Sequence, residues 1–586
     1  MKISSLIALL AVMGLTACAQ QPVQPLQQAQ AADAPAVKTP ASKPRVVPRT
    51  PAKPQTLPQQ ELSSGILFKM LLAEIAVQRG QNNVAVQSYL ELTRETKDPR
   101  IAQRATEIAW NARFLGVALE TAGVWLAADP ESQQARQVLA ALLVSQARLA
   151  DAQPHLEKSL AADKANVGQS FMQLNTLLAR HPDKAAVLGL LQNLAQPYPA
   201  LPEAHFAVAQ AAVGAGQMDL ALAKIREALR LRPEWEQAAL FQGQLLQRSS
   251  NAEAAAYLQN YLRSHPQAMD VRLNFARLLV NEKKYPEARA EFATLMKEFP
   301  NNPDVTLAVG LLSLQLNDFD AAETQLLRAL ENNYKDPDAV RFYLGQTNEE
   351  RKRPEEALRW YGSIEGGDQY VPGRARYAGI LAKQGKLPDA RKYLQEAARN
   401  PQQIVQFTQA EAQLLRDAND YQGAYAVLNQ AVEKNPNSPE LLYDHAMAAE
   451  KVDRIDVLER NLRKVIQIKP DYAHAYNALG YTLADRNTRL QEAYTLIEQA
   501  LKLAPEDPFI MDSMGWVLYR MGQFDAAVTF LQRAFTLRPD AEIAAHLGEV
   551  LWAAGRQDEA RKVWSGALKE HPGNEVLLAT VKKFSP

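Results

Sequence analysis

Prolines recur along this chain at a nearly constant interval, and that interval constrains the fold more than any other feature of the sequence. Pro199, Pro233, Pro266 and Pro300 are 34, 33 and 34 residues apart. A second series, with intervals of 33 to 35 residues, consists of Pro401, Pro436, Pro470, Pro505, Pro539 and Pro572. A period near 34 residues in a helix-rich chain indicates stacked helix–turn–helix repeats. Each proline lacks an N–H and is expected to end the second helix of a pair.

Small side chains recur at fixed positions between the prolines. Nine or ten residues after a proline stand Ala209, Gly243, Ala276, Gly310, Ala446, Gly480, Gly515 and Gly548. About 22 residues after it stand Ala221, Ala255, Ala288, Ala322, Ala493, Ala527 and Ala560. Because small residues let two helices approach closely, we expect these positions to be the contacts within each pair.

These residues resemble the tetratricopeptide repeat, most clearly in segments 507–539 and 540–572. The match is weaker over 66–198, where the spacing blurs, and over 401–470. The resemblance implies an all-α superhelical solenoid of roughly fifteen helical pairs between residues 66 and 571. The last segment, 574–583, is predicted to be a capping helix.

The N-terminus carries a second signal. Lys2 precedes an apolar run over residues 3–14, which is followed by Leu15-Thr16-Ala17-Cys18. The run is too short to span a bilayer, and it predicts a secretory signal peptide, residues 1–17, that is excluded from the fold. The four residues resemble the cleavage box of bacterial lipoproteins, which implies that Cys18 carries a covalent diacylglycerol and an N-acyl lipid. The alternative is a plain signal peptide followed by an incidental cysteine.

Residue 19 is alanine rather than the aspartate that retains such lipoproteins at the inner membrane, so the resemblance implies an outer-membrane anchor facing the periplasm. Residues 18–60 are rich in Pro, Ala and Gln and are predicted to be a disordered tether. Against one acid, Asp33, this segment carries Lys38, Lys43, Arg45, Arg49 and Lys53. This bias suits contact with an anionic surface, although a simple soluble linker is the alternative.

The proline series is interrupted between Pro300 and Pro401, where Gly366-Gly367-Asp368 and Pro372-Gly373 mark a loop. One interpretation is a hinge between an N-terminal solenoid half, 61–365, and a C-terminal half, 366–586. The other is a single lengthened loop in a continuous solenoid.

No residue pattern of a familiar enzyme class is present. The eight histidines are scattered, and Cys18 is the sole cysteine, so no disulfide can form within the chain. The 65 basic and 65 acidic residues balance, and no basic patch indicates nucleic-acid binding. We therefore predict no enzyme activity, no metal site, no other cofactor and no small-molecule substrate.

In this repeat class, the inner face of the first helices lines a groove. Three positions before the small residue, the middle repeats carry Phe206, Leu240, Leu273, Leu307 and Phe342. The same face of the C-terminal repeats carries Asn477, Tyr481, Phe509, Asp512, Trp516, Tyr519 and Trp552. Apolar grooves accept hydrophobic segments, and aromatic residues anchor interfaces. We predict a protein-binding groove along these residues; the alternative is that they pack between adjacent repeats.

Anchor, tether and repeats together resemble the tetratricopeptide lipoproteins that bind periplasmic carboxyl-terminal processing proteases. That resemblance implies an adaptor that docks the protease and brings it cell-wall hydrolases to degrade. The alternative is an assembly factor for outer-membrane proteins, pili or peptidoglycan synthases.

Overall fold

The computed structural model describes residues 58 and 60–584, which form thirty-one α-helices and no β-strand. The predicted signal peptide 1–17, Cys18 and nearly all of the predicted tether 18–60 lie outside these residues. In chain order the helices are α1 (Ser64–Gln78), α2 (Asn82–Thr96), α3 (Pro99–Asn111), α4 (Leu115–Ala128), α5 (Gln133–Ser145), α6 (Leu149–Ala162), α7 (Val167–Leu178), α8 (Lys184–Ala195), α9 (Pro202–Gly214), α10 (Met218–Leu231), α11 (Glu236–Gln247), α12 (Asn251–Ser264), α13 (Met269–Asn281), α14 (Tyr285–Glu298), α15 (Pro303–Gln315), α16 (Phe319–Glu331), α17 (Pro337–Glu350), α18 (Pro354–Gly362), α19 (Tyr370–Lys383), α20 (Leu387–Ala397), α21 (Pro401–Asp417), α22 (Tyr421–Lys434), α23 (Pro439–Lys451), α24 (Ile455–Ile468), α25 (Ala473–Asp485), α26 (Leu490–Leu503), α27 (Pro508–Arg520), α28 (Phe524–Leu537), α29 (Ala541–Ala553), α30 (Gln557–Glu570) and α31 (Glu575–Phe584).

The proline series marks the ends of helices, with two exceptions, Pro401 and Pro199, the latter standing four residues after the end of α8. Helix α28 ends at Leu537 and Pro539 follows it, and the same arrangement occurs at α10, α12, α14, α22, α24, α26 and α30. Pro401 instead occupies the first turn of α21, where the missing N–H costs no helical hydrogen bond. Our expectation that Pro401 ends a helix was therefore wrong.

The chain contacts divide it into two compact units, Met1–Asp318 and Phe319–Pro586. In the first unit, α1 to α6 form three successive pairs and α9 to α14 form three more, whereas α7 and α8 each pack against α9, and α15 follows the last pair. In the second, α16 precedes seven pairs from α17 to α30, and α31 packs against α29 and α30. These helices account for the predicted repeats, and α31 confirms the capping helix expected at 574–583.

The loop between α18 and α19 lies inside the second unit and is held by polar contacts. The carboxylate of Asp338 accepts backbone hydrogen bonds from Glu365 and Gly366 at 3.1 and 2.8 Å. The guanidinium of Arg399 donates to the carbonyl oxygen of Glu365 at 2.6 Å. The halves 61–365 and 366–586 therefore do not coincide with the compact units, and the contacts favour one lengthened loop over a hinge.

The recurring small residues lie where paired helices touch. A Cβ atom added at Gly480 would come within 2.6 Å of Ile497 and 3.0 Å of the carbonyl oxygen of Ala493. Ala493 is itself the second small residue of that repeat, so the two helices meet at the two predicted positions. Among the thirty-one helices, none has the length and apolar character needed to cross a membrane.

Candidate functional site

The residues predicted to line the groove differ widely in exposure. Four are buried, namely Phe206, Leu307, Asp512 and Trp516. Phe509 is exposed, and its ring lies 4.8 Å from the guanidinium of Arg538. The remaining seven are half-buried, namely Leu240, Leu273, Phe342, Asn477, Tyr481, Tyr519 and Trp552.

Two of the middle positions belong to the helix-packing core. Leu307 is fully buried in α15, and Phe206 in α9 retains 1% of its exposure. The Phe206 ring lies 4.9 Å from Trp235 and 5.5 Å from Phe241. The prediction that Phe206 and Leu307 line an open groove was therefore wrong, because three residues before the small contact the helix still faces its neighbours.

An open groove of about 470 Å³ does exist in the first unit, and its walls come from α7, α8 and α9, with Gln237 and Phe241 of α11. We call it the N-terminal groove. Its apolar lining includes Met172, Val187, Leu191, Val213 and Phe241, and its polar lining includes Asn175, Thr176, Lys184, Gln210 and Gln237.

The lining residues follow a different helical stripe from the one predicted. On α11, Gln237 and Phe241 precede Gly243 by six and two positions. On α9, Gln210 and Gly214 follow Ala209 by one and five positions. These four offsets are three or four residues apart and therefore share one face of a helix. The small residue was the right reference, and the predicted residues Phe509, Tyr481 and Trp516 have two of these offsets, six before and one after it, but the offsets of two before and five after were not predicted.

The N-terminal groove offers amide groups beside an apolar floor. The Nδ2 of Asn175 is buried without a hydrogen-bond partner, and a buried unpaired donor is costly unless something binds it. Gln210 and Gln237 add further amides on α9 and α11. Amides that pair with a main chain and apolar contacts that take side chains are what an extended peptide segment requires.

A second constellation lies on α25, α27 and α29, within the second unit. We call Tyr481, Asp512, Trp516, Tyr519 and His546 the C-terminal cluster. The Nδ1 of His546 lies 2.9 Å from an oxygen of Asp512. The imidazole stacks on Trp516 with ring centroids 4.3 Å apart, and Tyr481 and Tyr519 flank this pair at 6.2 and 5.2 Å.

His546 is the residue that the sequence interpretation missed. It stands two positions before Gly548, as Phe241 stands before Gly243. Tyr481 and Trp516 each stand one position after a small residue, as Gln210 does. Tyr481, Trp516 and His546 therefore share the helical stripe of the N-terminal groove, whereas Asp512 and Tyr519, three positions before and four after Gly515, lie on the stripe that the sequence predicted. Examining the residue two positions before the small residue in every repeat would have identified His546.

The environment of His546 favours its charged form. Burial is the largest influence and lowers the pKa of His546, but the carboxylate of Asp512 outweighs it, with help from Glu549 and Glu542, and the net shift is upward. Burial also raises the pKa of Tyr481, which keeps its phenol neutral. The cluster thus presents an imidazolium–carboxylate pair between aromatic rings.

Two polar atoms on this stripe and beside it have no partner in the structure. Trp516 Nε1 and Asn477 Oδ1 are buried without a hydrogen bond. The guanidinium of Arg520 lies 5.0 Å from the Trp516 ring and donates to the carbonyl oxygen of Asp485.

Trp552 has a different role from the one predicted. Its ring packs 5.9 Å from Trp564 and 6.0 Å from Phe584 of α31. Trp552 therefore helps to seat the capping helix, and its place in a groove stays a prediction.

No group of three or more His, Cys, Asp or Glu side chains suited to a metal ion occurs among the residues that the structure describes.

Comparisons with known proteins agree with the repeat architecture. Tetratricopeptide-repeat family profiles match residues 245–312, 281–343 and 513–575. The chain is 34% identical over 559 residues to the TPR repeat-containing protein PA4667 of Pseudomonas aeruginosa, covering 94% of this chain and 93% of that protein. It is 25% identical over 464 residues to cellulose synthase operon protein C of Pseudomonas fluorescens, covering 67% of this chain but only 35% of that protein.

Among solved structures, yeast Tom70 matches at 13% identity with a TM-score of 0.34, covering 88% of this chain and 94% of Tom70. Proteins built from these repeats are typically non-catalytic scaffolds that bind other proteins. With its 31 helices, its paired small-residue contacts and a near full-length relative, the chain belongs to the tetratricopeptide-repeat family and is a scaffold for protein–protein interaction.

Proposed function

We propose that this scaffold is an outer-membrane-anchored adaptor in the periplasm, which docks a carboxyl-terminal processing protease and its cell-wall hydrolase substrates. The observation that carries the proposal is that two sites of different chemistry occur in one chain, the open N-terminal groove and the C-terminal cluster, in which Asp512 and Trp516 are buried and the other three residues are partly exposed. The N-terminal groove is apolar with amide groups, whereas the C-terminal cluster is charged and aromatic. An adaptor needs two such surfaces because it must hold two different partners.

The location of the adaptor follows from the N-terminal residues. Leu15-Thr16-Ala17-Cys18 supplies the lipid attachment site, and Ala19 supports export to the outer membrane. Several acyl chains on Cys18 would give stable anchoring, which a single chain does not. The membrane contact is thus through the lipid, and the partners are proteins.

The mechanism is proximity. A protease held at one surface and a hydrolase at the other meet at an effective concentration set by the scaffold rather than by diffusion through the periplasm. The extended substrate segment suits the N-terminal groove, since proteases cleave extended chains and the groove offers amides on α7, α9 and α11.

Co-purification tests the proposal. We expect the affinity-tagged protein to recover a serine protease and a peptidoglycan hydrolase from periplasmic extract, identified by mass spectrometry. The double variant Gln237→Ala with Phe241→Ala is expected to lose the hydrolase. The matched control, Phe299→Ala with Asn301→Ala, removes an exposed phenylalanine and an exposed amide elsewhere in the first unit, and it should retain both proteins. Recovery of neither class of protein would refute the adaptor.

The resemblance to cellulose synthase operon protein C over 464 residues leaves one other candidate, an assembly factor for an envelope machine. The two differ in what a deletion strain shows. Uncleaved hydrolases accumulate if the adaptor is lost, whereas porins, pili or peptidoglycan synthases go missing if an assembly factor is lost.

A further inference from the structure

Helix α1 is apolar on the side that faces away from the protein. Its buried face, formed by Ile66, Ala73 and Ala76, belongs to the core of the first unit. On the opposite side, five large apolar side chains are between 38 and 66% exposed, namely Leu67, Phe68, Leu71, Leu72 and Ile75. Their spacing of one, three and four residues places them on one face, which we call the outer stripe.

The charged residues of α1 point away from the outer stripe. Lys69 pairs with Glu95 of α2 at 3.0 Å, and Glu74 pairs with Arg104 of α3 at 3.0 Å. The outer stripe therefore contains no ionisable group that would oppose transfer into an apolar medium. A cluster of this kind on a folded protein marks an interaction surface.

The size of the outer stripe argues against a second copy of the chain as its occupant. A helix of 15 residues is about 22 Å long and about 10 Å wide. Two such faces bury only several hundred Å² in total, against about 1,200 Å² or more for a stable interface.

The sequence before α1 favours a lipid surface. Residues 18–63 precede the helix and carry five basic residues, all between Lys38 and Lys53, against two acids, Asp33 and Glu61. Basic residues next to an apolar helix face are attracted to anionic lipid headgroups while the apolar side chains enter the acyl boundary. A bilayer also needs no shape complementarity, which suits a mixture of Leu, Phe and Ile.

We propose that the outer stripe of α1 lies on an anionic lipid surface and holds the N-terminal end of the first unit against the membrane. The contact is distinct from the predicted lipid on Cys18, because it is made by the folded helix itself. It limits how far the first repeats can move from the bilayer, whatever the length of the tether.

Vesicle flotation tests the proposal with the chain from residue 18 onward, which contains every described helix. Cys18→Ser removes the sole cysteine, so no lipid can be attached. Vesicles are phosphatidylethanolamine and phosphatidylglycerol in a ratio of about three to one, a mixture with the anionic headgroups that the proposal requires.

The variant combines Phe68→Gln, Leu71→Gln and Ile75→Gln, and glutamine keeps a good helix propensity. The matched control combines Ile404→Gln, Leu537→Gln and Leu578→Gln, which are similarly exposed in the second unit.

We expect the unsubstituted chain to float with the vesicles, the triple variant to lose at least about tenfold in partitioning and the control to change by less than about twofold, since each apolar side chain contributes independently. Equal loss in the control, or no flotation of the unsubstituted chain, overturns the proposal. A dimer in sedimentation velocity that the triple variant converts to monomer, without vesicle binding, overturns it in favour of a second copy.

A single label gives an independent readout. In the cysteine-free background, Leu71→Cys carries a polarity-sensitive fluorophore, and Ile404→Cys serves as the control position. The probe at 71 should shift to the blue with vesicles and be quenched by a quencher on the lipid chains, whereas the probe at 404 should do neither. An unchanged probe at 71 counts against insertion even if flotation occurs. Failure here leaves the adaptor proposal intact, because that proposal is read out by co-purification.

Discussion

At Gly515 the fold depends on the absence of a side chain. A Cβ atom there would lie 2.5 Å from Leu531 and 3.1 Å from the carbonyl oxygen of Ala527. Leu531 is fully buried and cannot move away. This one position explains why the small residues recur with the repeat, because the backbone of α27 at Gly515 lies directly against the Leu531 side chain and the Ala527 backbone of α28.

Gly515→Ala should therefore destabilise the protein by about 1–3 kcal/mol, the usual cost of overpacking a core. Gly566→Ala is the control, because Gly566 lies exposed in α30 with no atom within 4 Å of the added Cβ. That change should stabilise by about 0.5–1 kcal/mol, since glycine is unfavourable inside a helix. Thermal melts of both variants measure this difference, and equal effects at the two sites would contradict the close-contact interpretation.

His546 makes the stability of the second unit depend on pH. Its pKa in the folded chain is raised, despite burial, by Asp512, so the folded state holds the proton more tightly than the unfolded chain. The resulting stabilisation is fully present below the unfolded pKa of about 6.5 and is lost as the pH rises through the folded pKa.

We expect His546→Gln to lower the melting temperature most near pH 6 and least at alkaline pH. Near pH 6 the loss corresponds to a charged hydrogen bond, about 1.5–3 kcal/mol. Melts of the unsubstituted protein and the variant from pH 5.5 to pH 9 provide the test. Asp512→Asn should remove most of the same pH dependence. A gap that stays constant with pH would show that His546 contributes by packing alone.

At the scale of the helices, the sequence predicted the fold and the contacts between paired helices. It did not fully predict which face of the helices lines the N-terminal groove. The prolines and small residues recur because they have the same structural roles along the chain, ending helices and letting paired helices approach. Their pattern could therefore be recognised from the sequence alone. The residues on the stripe of the N-terminal groove and of the C-terminal cluster differ between repeats, from Gln237 and Phe241 to Trp516 and His546. A periodic pattern carries no information about which neighbouring stripe is open, since that depends on how tilted helices pack. Phe206 and Trp552 illustrate the limit: both are aromatic, yet one fills the core and the other seats α31.

A buried histidine, His445, joins the pair α23 and α24. Its effect on the pH dependence of stability is opposite to that of His546. His445 Nδ1 lies 3.0 Å from Asn461 Nδ2, which requires a neutral ring that accepts the hydrogen bond. Burial, reinforced by Arg460, lowers the pKa of His445 to about 4. The unfolded chain therefore binds one more proton than the folded chain between about pH 4 and about pH 6.5, and stability falls as the pH decreases through that range.

His445→Gln should weaken this acid sensitivity. The variant loses some stability at pH 7, but the gap to the unsubstituted protein should narrow by about 2 kcal/mol at pH 5. His571→Gln is the control, because His571 is exposed after α30. Chemical denaturation at the two pH values gives the comparison. A gap that widens on acidification would mean that the ring is protonated in the folded chain.

At the scale of the whole molecule, the repeats imply that stability is a sum of local terms. Each helix pair packs chiefly against its sequence neighbours, and the contacts fall into two compact units. In such a solenoid a destabilising substitution lowers the stability of the adjacent repeats and leaves distant repeats nearly unchanged. This property suits an adaptor, because one surface can yield to a partner without loosening the other.

One core substitution in each unit should show that the loss of stability stays within the substituted unit. Trp564 is almost fully buried beside Trp552 and Phe584, and Trp125 is buried against Ala102 and Ala135 in the first unit. Alanine at either site should cost about 3–5 kcal/mol locally. Hydrogen exchange read by mass spectrometry should show lost protection in α27 to α31 for Trp564→Ala, with α3 to α6 unchanged, and the reverse for Trp125→Ala. If either variant loosened both units equally, the chain would unfold as one cooperative body, and the two binding surfaces could not act independently.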